Sequence, residues 1–111
     1  DKIKHAVVAY SSGKPAGCGA IRAFSDEAME VKRMYVVPSG RNTGIASQVL
    51  AELERWAAEL GYTTCILETG RRQPEAIALY RKHGYEPMPN YGQYARVENS
   101  LCFRKQLNLR V

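Results

Sequence analysis

A chain of 111 residues with 45% hydrophobic and 24% charged side chains can bury one modest core and has no length for a second domain. Its formal net charge of +5 favours an anionic partner, yet the basic residues are scattered and no patch interleaved with aromatics resembles a nucleic-acid module, so nucleic acid is not the expected partner. No apolar run approaches the ~20 residues that cross a bilayer and nothing at the start reads as a signal peptide, which leads to the expectation of a cytoplasmic protein without membrane contact.

An apolar strand pattern begins within a few residues of Asp1, which is not a methionine, so the native chain is expected to start upstream. Ala6 to Tyr10 and Gly17 to Phe24 are apolar runs around Ser11-Ser12-Gly13-Lys14-Pro15, the pattern of an antiparallel hairpin. A turn at Ser25-Asp26-Glu27 leads into a third strand, Met29 to Val37, which Pro38 helps to end because it has no N–H for a ladder. Ile45, Val49, Leu53, Trp56 and Leu60 then recur at helical spacing while Glu52, Arg55 and Glu59 point elsewhere, giving a helix of about four turns ended by Gly61. Tyr62 to Leu67 is rich in strand formers, and strand, helix, strand predicts a right-handed parallel crossover. The loop before the helix therefore lies at the carboxyl end of a strand, where open α/β sheets bind ligands. Pro74 in a first turn, Glu75 beside it and Gly84 as C-cap residue bound a shorter helix. Tyr85 to Met88 and Ser100 to Leu107 read as closing strands, with a loop over residues 89–94. The expected fold is α/β of the α+β kind, a mixed sheet in which an antiparallel meander is followed by a parallel strand-helix-strand crossover, in a single domain over residues 1–111.

Cys18, Cys65 and Cys102 are an odd number, widely spaced and each in an apolar run, while His5 and His83 have no partner at ligand spacing. Buried reduced thiols and no metal site are the expectation.

The segment from Val36 through Ala46 holds two glycines, offers Asn42 and Thr43 as candidate helix N-caps, carries Arg41, and belongs to a stretch with no acidic residue between Val31 and Gln48. Amides of the helix's first turn and the positive end of its dipole would favour an anion there. The same residues also suit an ordinary strand-to-helix connection.

Read as Arg-x-x-Gly-x-Ala, residues 41–46 resemble the acetyl-CoA pyrophosphate loop of the GNAT superfamily of N-acetyltransferases. Met29 through Pro38 resembles that family's central strand, and Gln73 through Tyr85 its second signature, a short helix carrying a tyrosine and ending at Gly. The resemblance covers nearly the whole chain and implies acetyl-CoA as acetyl donor, with Arg41, Asn42, Thr43, Gly44, Ile45 and Ala46 holding the pyrophosphate. It implies that backbone groups of Met34, Tyr35 and Val36, on a strand splayed from its neighbour, pair with pantetheine. Gln73 stands where many members carry a cofactor-contacting asparagine, and Arg71 and Arg72 could reach an anionic group. Tyr80 takes the place of the general acid and Glu30 that of the base, with Glu68 as competitor for the latter; a core tyrosine packed with Ile77 and Ala76, and an exposed inert Glu30, are the alternatives. Tyr91 and Tyr94 fall in the loop that flanks the acceptor.

The family's usual first strand and two helices are absent from these residues, and the apolar edge they cover leads to the expectation of self-association. The function implied is acetyl transfer to a primary amine of a small molecule or protein, with coenzyme A and that amine as partners. A non-catalytic acyl-CoA-binding or sensing module is the alternative.

Overall fold

The structure is a computed structural model that describes residues 3–107, with side chains from His5 onward. Asp1, on which the upstream expectation rests, lies outside the described residues. Strands β1 (Ile3–Ser11), β2 (Lys14–Ala23) and β3 (Ala28–Val36) form the antiparallel meander expected from the two polar turns. A 3-10 turn at Pro38–Gly40 leads into α1 (Ile45–Glu59), then β4 (Thr64–Gly70), α2 (Pro74–Lys82), β5 (Glu86–Met88), a second 3-10 turn at Gly92–Tyr94, and β6 (Ser100–Gln106). All these strands join one sheet in the order β1-β2-β3-β4-β6-β5. The connection through α1 makes β3 and β4 parallel neighbours.

Helix α1 buries Val49, Leu50, Leu53 and Ala57 against the sheet. Fully burying Leu50 and Leu53 contributes about 1.5–3 kcal/mol each. The helix can come this close because β2 has no side chain at Gly19, where a Cβ would lie 2.8 Å from Leu53 Cδ1 and 2.9 Å from Val49 Cγ1. Tyr85 and Lys105 add a polar clamp, donating to the Glu54 carboxylate at 2.9 and 2.8 Å. Cys65 and Cys102 are buried free thiols as expected, whereas Cys18 is only half-buried.

Two cap assignments need correction. Neither Asn42 nor Thr43 caps α1: the cap is Gly44, at φ +86°, with no side-chain hydrogen bond. A left-handed cap is cheap only for glycine, and Thr43 turns its hydroxyl back to donate to the Gly40 carbonyl. At the end of α2, His83 is the cap, and Gly84 stands one position beyond it at φ +87°.

Two irregularities shape β3. Cys18 pairs with Tyr35 and Ala20 with Lys32, so Arg33 and Met34 together oppose Gly19 in a bulge, with Arg33 in left-handed backbone at φ +59°. The extra residue brings Lys32 and Tyr35 to the same face, away from α1, and turns Met34 toward it, its Sδ 2.8 Å from where a Gly19 Cβ would stand. The second irregularity is the seam with β4. Pairing covers Ala28↔Thr64, Met29↔Cys65 and Glu30↔Ile66 and then stops, so Val31 to Val36 and Leu67 to Gly70 diverge.

Candidate active site

The divergence of β3 from β4 leaves a cavity of about 330 Å³ between them, lined by Glu30 to Met34 of β3, Glu68 and Thr69 of β4, Gln73, Ala76 and Tyr80 around α2, and Tyr94. Strand alternation divides these side chains between the two faces of the sheet. Glu30 and Lys32 lie on the face away from α1, where Tyr91 and Tyr94 cover them. Tyr80 approaches from the helix side. It is buried and packs with Tyr85 and Phe103, at centroid distances of 5.8 and 6.5 Å, rather than as a simple neighbour of Ile77 and Ala76.

Among the described residues the Tyr80 hydroxyl has no hydrogen-bond partner, while the side chain lines the cavity. Burial, and then the charge of Glu68, push its pKa from 10.0 to about 12. The phenol therefore keeps its proton across neutral pH.

Glu30 is neither exposed nor without partners. It is 2% exposed, its Oε1 accepts from Arg22 Nε at 2.9 Å, its Oε2 accepts from Tyr91 Oη at 2.7 Å, and Lys32 Nζ stands 3.9 Å away. Burial and the neighbouring Glu30 carboxylate raise the Tyr91 pKa well above the ordinary phenol value, so that hydrogen bond stays in place. Glu68, across the seam, accepts from Ser100 Oγ at 2.7 Å through Oε2. Its Oε1 has no hydrogen-bond donor among the described residues.

At the carboxyl end of β3, Arg41 Nε donates to the Val36 carbonyl at 3.0 Å and its guanidinium lies 5.7 Å from the Tyr35 ring centroid, so the arginine braces the loop it belongs to. One lone pair of Val36, a residue expected to face pantetheine, is thereby taken up inside the chain. The first intrahelical bond of α1 runs from the Gln48 amide to the Gly44 carbonyl, which leaves the amides of Ile45, Ala46 and Ser47 at the open helix end. A Cβ on Gly44 would meet no atom within 4 Å and would project into the space above the loop. Gln73 begins α2 and lines the cavity. Arg71 is engaged elsewhere: its backbone N–H and Nε donate to the carbonyls of Asn99 and Glu98, tying down the segment that carries Tyr91 and Tyr94. Arg72 is exposed. Among the described residues no group of side chains could hold a metal ion, and no helix is long and apolar enough to cross a membrane.

Lys32 and Arg22 escaped the sequence reading. A signal was available in the opposite charges at Glu30 and Lys32, spaced two apart in a strand and so on one face. The partners that give them meaning, Tyr91 and Tyr94, lie 61 and 62 residues along the chain.

The overall fold of this mixed sheet and its helices is shared with known N-acyltransferases. A Klebsiella pneumoniae protein assigned to the acyl-CoA N-acyltransferases is 35% identical and superimposes with a TM-score of 0.88 over 93% of this chain and 72% of that one. An Elizabethkingia anophelis GNAT acetyltransferase solved with acetyl-CoA bound shares the fold at 19% identity, with a TM-score of 0.79 over 92% of this chain and 75% of its own. In sequence, an Azospirillum brasilense protein described as IAA acetyltransferase is 39% identical over 102 residues, which is 91% of this chain and 67% of that protein. The family profile of the acetyltransferase (GNAT) domain matches residues 2–87, and the chain belongs to the GNAT acetyltransferase family.

Proposed function

We propose that the chain carries out acetyl-CoA-dependent N-acetyl transfer, moving acetyl directly to a primary amine. The observation that supports this most is the parted seam, which sets Tyr80 and Glu68 on one cavity beside strand backbone that has no partner in β4. The loop residues also suit a pyrophosphate: three amides at a helix start, open space above Gly44, Arg41 nearby and no acidic residue in the first turn. When bound, acetyl-CoA supplies an acetyl group already activated as a thioester.

Tyr80 Oη holds the proton that a leaving thiolate requires, since its raised pKa keeps it protonated. Glu68 Oε1 is the proton acceptor for the amine, because Ser100 holds the other oxygen and leaves this one open. Glu30 is assigned a positioning role: both of its oxygens already accept hydrogen bonds, and through them it fixes Arg22 and Tyr91. The backbone of Met34 and Tyr35 on the open edge of β3 polarises the acyl carbonyl, a contribution of about 3 kcal/mol for one well-placed donor.

The test is CoA thiol release by the full-length protein across a panel of amines, with acetyl-CoA binding followed separately by calorimetry. Amine-dependent release that falls in Glu68→Gln supports the reading. Binding with no amine-dependent release points instead to a non-catalytic acyl-CoA module, and a loss confined to Glu30→Gln returns the base role to Glu30.

A further inference from the structure

The cavity is charged unevenly. On its β3 side the Glu30 carboxylate is shared by two cations, Arg22 Nε at 2.9 Å and Lys32 Nζ at 3.9 Å, and Lys32 holds the longer of the two contacts. That carboxylate is buried with both oxygens occupied, and Lys32 Nζ sits 3.9 Å from it without displacing either donor. Lys32 instead donates to Tyr94 Oη at 3.2 Å and stands 5.7 Å from the centroid of the Tyr94 ring. An ammonium has three protons, so Lys32 retains donors for a further acceptor. Tyr94 Oη accepts from Lys32, and among the described residues it donates to none, so its own proton is also available. Across the seam the charge is opposite: Glu68 faces the same cavity with one carboxylate oxygen open.

An acceptor carrying only an amine would satisfy Glu68 and leave the Lys32–Tyr94 donors unmatched. A polyamine would set a second cation against Lys32. A protein amino terminus places a peptide group, not a carboxylate, beside its amine. Resting on the acetyltransferase reading, we infer that the acceptor is a small amine that also bears a carboxylate, as an α-amino acid does, with its nitrogen toward Glu68 and its carboxylate on Lys32 and Tyr94. The small volume of the cavity, about 330 Å³, agrees with a free small molecule.

The test uses the full-length protein and matched sets of an α-amino acid, its carboxamide and its decarboxylated amine, built on leucine, phenylalanine and methionine. CoA thiol release gives kcat/KM, mass spectrometry identifies the acetylated product, and calorimetry follows acetyl-CoA binding. The carboxylate member of at least one set is expected to be preferred over both partners by about 10- to 100-fold, the worth of a hydrogen-bonded charge pair. Lys32→Gln should bring that ratio close to one, Lys32→Arg should keep most of it, and Lys32→Glu should reverse it in favour of the decarboxylated amine. Tyr94→Phe, which removes one donor and leaves the charge, should lower the ratio by less and serves if the Lys32 variants do not fold. Ratios near one or below it in every set of the unaltered protein overturn the inference. So does a ratio that neither Lys32→Gln nor Tyr94→Phe changes, or intact acetyl-CoA binding with no member of any set acetylated. Absent acetyl-CoA binding overturns the cofactor reading beneath it, and the inference with it.

Discussion

Two carboxylates in this protein have nearly the same company. Glu54 accepts from a tyrosine hydroxyl and a cation, Tyr85 at 2.9 Å and Lys105 at 2.8 Å. Glu30 accepts from a tyrosine hydroxyl and a cation as well, Tyr91 at 2.7 Å and Arg22 at 2.9 Å. Their surroundings differ. Glu54 lies where α1 covers the sheet, and its single lysine balances it. Glu30 is the last β3 residue paired to β4, so the next step along the strand enters the cavity, and Lys32 adds a second cation. A satisfied buried carboxylate is therefore not in itself a functional signal. What separates the two is the opening beside one of them and the second cation that stands there.

The sharpest way to break that distinction is through the tyrosines. Tyr80→Phe is expected to lower kcat by about 10²-fold with acetyl-CoA affinity nearly unchanged, the pattern of an interaction made in the transition state. Tyr85→Phe, in the Glu54 clamp, should lower the urea midpoint and leave kcat in place. Equal kcat losses in the two variants would erase the difference. The pH profile carries the same point: with its pKa raised above the unfolded value of 10.0 to about 12, Tyr80 adds stability that is complete below pH 10 and lost as pH rises toward 12, and an alkaline limb due to it falls there too.

The carboxylates give the next largest effect. Glu54→Gln should cost about 1–3 kcal/mol of stability by weakening its hydrogen bonds to Lys105 and Tyr85, with acceptor KM unaltered. Glu30→Gln should raise acceptor KM by about 10-fold besides destabilising the chain. Steady-state kinetics beside chemical denaturation separates the two, and matching KM values would contradict a positioning role for Glu30 beside a purely structural one for Glu54.

At the phosphate loop, Gly44→Val should cost about 1–2 kcal/mol for a side chain in left-handed backbone. Its branches would also fill the space above the loop and weaken acetyl-CoA binding, while Gly44→Ala weakens it less. Calorimetric affinity unchanged in folded Gly44→Val would remove the loop from the cofactor site. The smallest effect expected is in thiol labelling. At pH 8 Cys18, half-buried on the helix-free face, should react before Cys65, whose pKa burial and the nearby Glu54 raise to about 12. Mass spectrometry of peptides after brief alkylation gives the order.

Much of the fold was legible in the sequence because its causes are local. The hairpin follows from polar residues between two apolar runs, and α1 from Val49 and Leu53 at helical spacing. The Gly-rich loop was legible as a segment, but its cap was not. Asn42 and Thr43 have the usual capping chemistry, yet the left-handed turn at Gly44 and the Thr43 bond back to Gly40 exclude both.

By itself the sequence determined the order of the elements, the apolar face of α1 and the place of Tyr80 on a short helix after β4, all of which follow from periodicity and turn chemistry over a few residues. Only the tertiary structure decided that pairing between β3 and β4 stops at Glu30, that the bulge at Arg33 reassigns the faces beyond it, and that Lys32 meets Tyr94. Those features depend on register between distant strands and on what packs over them. Side-chain pattern along one strand repeats every two residues whether or not its neighbour stays alongside, so periodicity leaves the residue at which β3 departs from β4 unmarked, and only the family resemblance implied that the strand is splayed.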